Sequence, residues 1–267
     1  MPPSPSRLSS ILRLWGMIWF SICRRSLSVL PPIFTTNYHS ATVHWEAMTE
    51  AVRRDGLTAL GRPQQIRDTA SAKLLTGGFV AYEDTTVVPS LVKAASGMVL
   101  ELGPGPGNIF IVYGIEPNPH FKDVINAKLA KHNLQDRYKL IICGVEDSDI
   151  LRKEGITEGS LDTVLCIQVL CAVKDPKNVM KEVWKLLKPG GKFIFWEHGW
   201  SRNHLTAVAQ ACFNPAWSTF VGCNLIRNIL ADILNSGEWE NPHEIKEPGE
   251  PFSLMPRIQG VLVKKKF

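Results

Sequence analysis

No aspartate or glutamate occurs before Glu46, while Arg7, Arg13, Arg24 and Arg25 all fall in that stretch. An acid-free, arginine-bearing leader is unlike ordinary domain surface, and it sets residues 1–45 apart as a membrane-directed or targeting segment. Within it, "ILRLWGMIWFSIC" falls short of the about 20 uninterrupted apolar residues that a spanning helix needs. Trp15, Trp19 and Phe20 beside Arg24-Arg25 suit an interfacial or signal-anchor helix instead. Membrane association through residues 8–30 is therefore the favoured reading, on the cytosolic face of the endoplasmic reticulum or a lipid droplet. A mitochondrial presequence fits the same arginines and serines. A helix packed on the domain is the plain alternative. Pro31-Pro32 is expected to break any helix.

Other scarcities exclude more. None of the six cysteines forms a CxxC pair, so neither a disulfide scaffold nor a zinc site is expected, and no metal ligand is assigned. Cys143 and Cys166 lie in apolar runs and read as buried free thiols. Core packing is also favoured over catalysis for Cys171. The net charge of +5 is spread out, with short basic groups at Arg24-Arg25 and Lys264–Lys266. Nucleic-acid binding would need one basic face. The three lysines are expected to form a solvated tail.

What is present is a chain of 267 residues, 45% hydrophobic and 21% charged, which is ordinary composition for a soluble domain. Residues 46–97 read as a helical lead-in punctuated by glycines and Pro63. From 98 to 267, strands and helices alternate. "MVLELG", "IFIVYGIE", "YKLIICGV", "LDTVLCIQVL", "KFIFWEHG" and "IQGVLVKKKF" have strand character. "NPHFKDVINAKLAKHNLQ", "DPKNVMKEVWKLLKPGG" and residues 204–235 have helical character. In the second, Asp175 caps, Pro176 starts the helix, Val179, Val183, Leu186 and Leu187 form a stripe, and Pro189-Gly190-Gly191 ends it.

Apolar strands alternating with helices predict an α/β fold: a mostly parallel sheet with helices on both faces. Ligands in such sheets lie beyond the carboxyl ends of the strands. That directs attention to Gly103–Gly107, Glu116, Gly144-Val145-Glu146, Gln168 and Glu197-His198. Glycines at 103, 105 and 107 let a backbone approach a ligand closely, and an acid ending the next strand can accept both hydroxyls of a ribose. A nucleoside site follows from the two together. One part is missing. A parallel crossover takes about a dozen residues or more, most of them helix, yet "PGPGN" runs straight into "IFIVYGIEPN". The first crossover helix is read as deleted.

"LELGPGPG", "GIEPN", "CGVED", "LDTVLCIQVLCAV", "LKPGGKFIFWEH" and "FNPAWSTFVGCNLIRN" occur in the order and approximate spacing of class I S-adenosylmethionine-dependent methyltransferases. The chain most resembles their small membrane-associated branch, whose animal members methylate alkyl thiols. The resemblance covers roughly residues 64–266 and implies a Rossmann-like fold with S-adenosyl-L-methionine as cofactor. It implies that Glu101, Gly103, Gly105 and Gly107 lie along the methionine part of the cofactor and that Glu116 holds the ribose. Val145 and Glu146 would flank the adenine. Gln168, followed by Val169, would border cofactor and acceptor. Glu197-His198 matches a family pair.

Methyl transfer is an in-line displacement at a sulfonium carbon, so alignment and exclusion of water carry most of it. A thiol acceptor must also lose its proton. His198 is the imidazole placed to help, against the plainer reading of a structural histidine. Trp217 and Trp239 could line an acceptor pocket, with core packing the safer role. The expected function is methyl transfer to a small apolar acceptor, an alkyl thiol by resemblance. A catalytically impaired homologue with an interaction role is the alternative. A nicotinamide-dependent oxidoreductase would share the glycine turn and the ribose acid but leaves "LKPGGKFIFWEH" unexplained.

Overall fold

The structure is a computed structural model and describes residues 31–74, 82–103, 112–247 and 253–266. Residues 8–30, proposed to meet a membrane, lie outside the described residues, as do Gly105 and Gly107. Among the described residues no helix is long and apolar enough to cross a membrane.

The chain enters through α1 (Pro31–Asp55). Pro31-Pro32, expected to break any helix, are the first described residues of α1, and what precedes them lies outside the described residues. α1 also runs through the anticipated boundary between residues 45 and 46. A 3-10 turn (Gly56–Gly61) leads to α2 (Pro63–Leu74), and Val43 and Ala47 of α1 bury against Ile66 and Ala70 of α2. α3 (Val88–Lys93) precedes the sheet.

The strands and helices that follow are β1 (Val99–Leu102), β2 (Val112–Ile115), α4 (Lys122–Lys131), β3 (Tyr138–Ile141), α5 (Ser148–Lys153) and β4 (Leu161–Ile167). Then come α6 (Pro176–Leu186), β5 (Leu187–His198), α7 (His204–Phe220), α8 (Ile229–Leu234) and β6 (Arg257–Val263). The sheet order is β3-β2-β1-β4-β5-β6. All neighbours are parallel except β6, which runs antiparallel to β5.

Strand pleating sends alternate residues to two cores. Leu100, Leu102, Ile115, Val164 and Phe193 face α6 and α8, meeting Val179, Met180, Val183, Ile229 and Ile233. Val99, Val112, Tyr138, Leu165 and Ile194 face the other way, onto Phe121 and onto Ile125 and Leu129 of α4. Val179, Val183 and Leu186 of the expected α6 stripe are buried, with Asp175 accepting from the Asn178 amide at 3.1 Å and Pro176 in the first turn. Leu187, expected in the stripe, and Pro189-Gly190-Gly191, expected to end the helix, lie instead in β5, because the helix has already stopped at Leu186.

Lys264 departs from the solvated-tail expectation. It is buried, its Nζ donates to the Trp184 and Leu187 carbonyls at 2.7 Å each, and it lies 3.9 Å from the Trp184 ring centroid. These carbonyls stand at the C-terminal end of α6, where a cation satisfies orphan acceptors and meets the negative end of the helix dipole. Lys265 does reach solvent, paired with Glu238.

α4 and α6 carry the β2–β3 and β4–β5 crossovers. Only residues 103–111 join β1 to β2, fewer than the about twelve of a helical crossover.

Candidate active site

The carboxyl ends of β1, β2, β4 and β5 stand side by side. Leu102 pairs with Ile115, and the Gly103 amide donates to the Ile115 carbonyl at 2.9 Å, which sets Gly103 next to Glu116 on the adjoining strand. Gly103 has φ +53°, and a Cβ there would sit 3.0 Å from Val169 Cγ2. Both the left-handed backbone and the close approach to the β4 exit call for glycine.

Glu116 is 6% exposed, and its Oε1 accepts the Asn118 amide at 2.8 Å. Burial pushes the carboxyl up to about 7, the Asn118 bond opposes this, and nearby Asp68 adds to it. α2 covers this exit, with Asn118 Nδ2 donating to the Asp68 carbonyl at 3.0 Å.

Glu101 is buried on the α4 side of β1 and accepts from the Tyr138 hydroxyl at 2.8 Å. Burial lifts its carboxyl to about 7; the Tyr138 bond lowers it and Glu83 raises it. Tyr138 sits two strands away and reaches Glu101 by lying across Gly114, where a Cβ would come within 1.9 Å of its hydroxyl oxygen. Sequence reasoning missed this pair. A glycine inside the apolar strand "IVYGIE" was the available signal, since it marks a close approach.

Gln168 ends β4 in a left-handed conformation, φ +56°. Its amide N–H donates to the Trp196 carbonyl at 2.9 Å, and its side chain bridges Glu83 at 3.3 Å and the Arg257 guanidinium. That guanidinium is 4.1 Å from the centroid of the Trp196 ring. Val145 points into the core and Glu146 is exposed, so any adenine contact there falls to the intervening backbone.

Glu197 is fully buried. Its Oε1 accepts the Val169 and Leu170 amides at 2.7 and 3.0 Å and the Cys166 thiol at 3.3 Å. It therefore ties the end of β5 to the β4 exit. Burial raises its carboxyl.

His198 is 1% exposed, with Nε2 lying 3.6 Å from Cys223 Sγ. Trp217 Nε1 donates to the same sulfur at 2.9 Å. Hydrogen bonding with Cys171 first, then His198 and Trp217, holds the Cys223 thiol below the usual range against the effect of burial. Cys166 and Cys171 are buried, with thiols raised. Trp239 packs into the core beside Phe193, and its Nε1 donates to the Ile233 carbonyl at 3.0 Å.

Glu101, Gly103, Glu116 and Gln168 thus gather at adjoining strand ends, while His198 lies one strand further on. An acid beside a glycine turn, both at strand exits, suits a nucleoside, and Glu197 holds the neighbouring β4 exit through the Val169 and Leu170 amides.

Residues 96–195 match the family described as "Methyltransferase domain". Human thiol S-methyltransferase TMT1B is 33% identical over 187 residues, covering 65% of this chain and 74% of that protein. Human thiol S-methyltransferase TMT1A is 32% identical over 138 residues, covering 48% of this chain and 54% of that one. Among solved structures, an O-methyltransferase family protein from Burkholderia thailandensis superposes with a TM-score of 0.59 at 14% identity, covering 90% of this chain and 74% of that chain. At that identity the likeness shows the fold.

Proposed function

The chain belongs to the class I S-adenosylmethionine-dependent methyltransferases, near the thiol S-methyltransferases, and from that premise we propose that it methylates a small apolar thiol. S-adenosyl-L-methionine is the cofactor of the family. The residues present fit it. Glu116 is a buried carboxyl with no cation paired to it among the described residues, beside a glycine whose Cβ position is closed by Val169. Ribose hydroxyls supply the donors such an acid lacks.

The observation that carries the proposal is the adjacency of Gly103 and Glu116 on hydrogen-bonded strands. Glu116 would hold the ribose. Gly103, with Glu101 behind it, would lie along the methionine part, as would Gly105 and Gly107 outside the described residues. The backbone at Val145-Glu146 would flank the adenine. When bound, the cofactor supplies an electrophilic methyl carbon on a sulfonium. Gln168, clamped between Glu83 and Arg257, would fix the wall between cofactor and acceptor. Val169 and Leu170, anchored by Glu197, would exclude water. His198 would take the acceptor's proton, and since its Nε2 faces Cys223 Sγ, the acceptor would approach from that side.

Titration of the folded chain with S-adenosylhomocysteine tests the cofactor site, and transfer to an alkanethiol tests the acceptor. Glu116→Ala should weaken binding about tenfold or more, the about 1.5–3 kcal/mol of hydrogen bonds to a charged group. Unchanged affinity would remove Glu116 from the site.

The short β1–β2 connection favours a second reading, a catalytically impaired homologue with an interaction role. A crossover helix would aim its positive N-terminus at the cofactor's carboxylate. A well-folded chain that fails to bind S-adenosylhomocysteine selects this reading.

Membrane association through residues 8–30 remains part of the proposal, at the cytosolic face of the endoplasmic reticulum or a lipid droplet, with mitochondria as the alternative. Its support is the aromatic, arginine-flanked apolar run.

A further inference from the structure

Cys171, His198 and Cys223 come from three separate places: the turn after β4, the last residue of β5, and the loop after α7. Their ligand atoms nevertheless all lie within 4.8 Å of one another. A tetrahedral zinc ion, with metal–sulfur bonds of about 2.3 Å and metal–nitrogen bonds of about 2.0–2.1 Å, holds its ligand atoms about 3.5–3.8 Å apart. The Cys223 Sγ to His198 Nε2 distance of 3.6 Å already meets that spacing. The widest pair needs to close by only about 1 Å.

The three residues are held from outside. The Asn224 amide donates to the Cys171 carbonyl at 2.9 Å. The Leu225 amide donates to Asn214 Oδ1 at 2.8 Å, and Arg227 Nη1 donates to the Leu170 carbonyl at 2.8 Å. The first and third bonds tie the loop after α7 to the turn after β4, the second ties that loop to α7, and His198 is held separately by the pairing of β5 with Arg257 of β6. The Trp217 indole N–H donates to Cys223 Sγ, the outer-shell contact that orients a thiolate ligand.

The geometry points to a binding site for a thiophilic divalent cation, zinc above all, formed by Cys171 Sγ, His198 Nε2 and Cys223 Sγ. Two sulfurs and an imidazole select zinc and its soft neighbours and reject magnesium and calcium, which need oxygen. The group has no fourth histidine, cysteine or carboxylate among the described residues, so the fourth corner is left to water or an incoming ligand, the arrangement of zinc sites that do more than brace a fold. Cys171 and His198 are buried while Cys223 is partly exposed, which puts the open corner on the Cys223 side. Because ligation requires thiolates, each bound ion displaces the thiol protons to solvent. No CxxC spacing announces this site. An ion on His198 Nε2 takes the lone pair that the proposed function gives to the acceptor's proton, so the two roles of that nitrogen are alternatives, while cofactor binding at Glu116 is independent of either.

Cobalt(II) is the probe. The full-length chain, reduced and free of oxygen, should take up one equivalent and show thiolate-to-cobalt charge-transfer absorption with tetrahedral visible bands. Zinc(II) should bleach both. Cys171→Ser and Cys223→Ser should each lose the charge-transfer intensity, whereas Cys212→Ser, an exposed position on α7, should keep it. Zinc-edge X-ray absorption on the wild-type chain reads the ligands without any variant, and a shell of two sulfurs and at least one nitrogen is expected. A folded, reduced wild-type chain that takes up neither metal overturns the site. So does a sulfur-free shell. S-adenosylhomocysteine titration of the same sample reports the methyltransferase reading separately.

Discussion

Gly114 shows how much one missing side chain can position. Its empty Cβ lets Tyr138 cross β2 and donate to Glu101. Gly114→Ala forces the ring away and should cost about 1–3 kcal/mol in urea unfolding, as overpacking does. A loss under half a unit would mean that the ring can move aside freely. Tyr138→Phe removes only the donor, and the Glu101 carboxyl, already at about 7, should rise further, read by carboxyl-resolved NMR titration. Glu101 and Glu116 share a second consequence. Burial raises both from the ordinary 4.5 to about 7, so the folded chain holds these protons more tightly than the unfolded one. Their contribution to stability is full below about 4.5 and is lost as pH rises to about 7. Urea midpoints across that window should fall less steeply in Glu116→Gln than in the wild type; an identical slope would show that Glu116 does not titrate in this way. Glu116 and Gly103 were legible in the sequence because type and place coincided, an acid and a glycine at strand exits. Tyr138 was not, because its partner lies two strands away and nothing local marks it.

α6 is the element the sequence described most fully, since its cap and its apolar stripe are local signals, although the Pro189-Gly190-Gly191 expected to end it lies in β5. What it did not reveal is the far end. Lys264, within a run of three lysines, looks solvated by composition, yet it bridges the Trp184 and Leu187 carbonyls. Lys264→Ala should destabilise the fold by about 1–3 kcal/mol through two unmet buried acceptors. Lys265→Ala, which breaks an exposed pair, should cost under about 1 kcal/mol. Equal effects in urea unfolding would refute the distinction. The Cys171, His198 and Cys223 group belongs here too, since three elements assemble it and no sequence spacing records it.

At the scale of the whole molecule, the mostly parallel sheet and its two-faced core followed from apolar runs alternating with helical periodicity, while the strand order and the antiparallel setting of β6 did not. The extent of α1 sets the choice of truncation. Because α1 is described from Pro31 onward and packs on α2, the membrane test should compare the full chain with residues 31–267, keeping the described helix whole. The full chain should pellet with membranes and the shorter one remain in the supernatant; equal partition would dissociate residues 8–30 from any bilayer. β1, β2 and β3 have four residues each, against seven, twelve and seven in β4, β5 and β6. With so few rungs and so short a link between β1 and β2, that half of the sheet should open on its own, and its amides should trade deuterium well before those of β4 and β5. Glu101, Gly103 and Glu116 sit on the looser half and Gln168 on the tighter, so a ligand spanning them would act as a stitch across the seam, slowing exchange in the very strands that the shortened connection leaves weakly tethered.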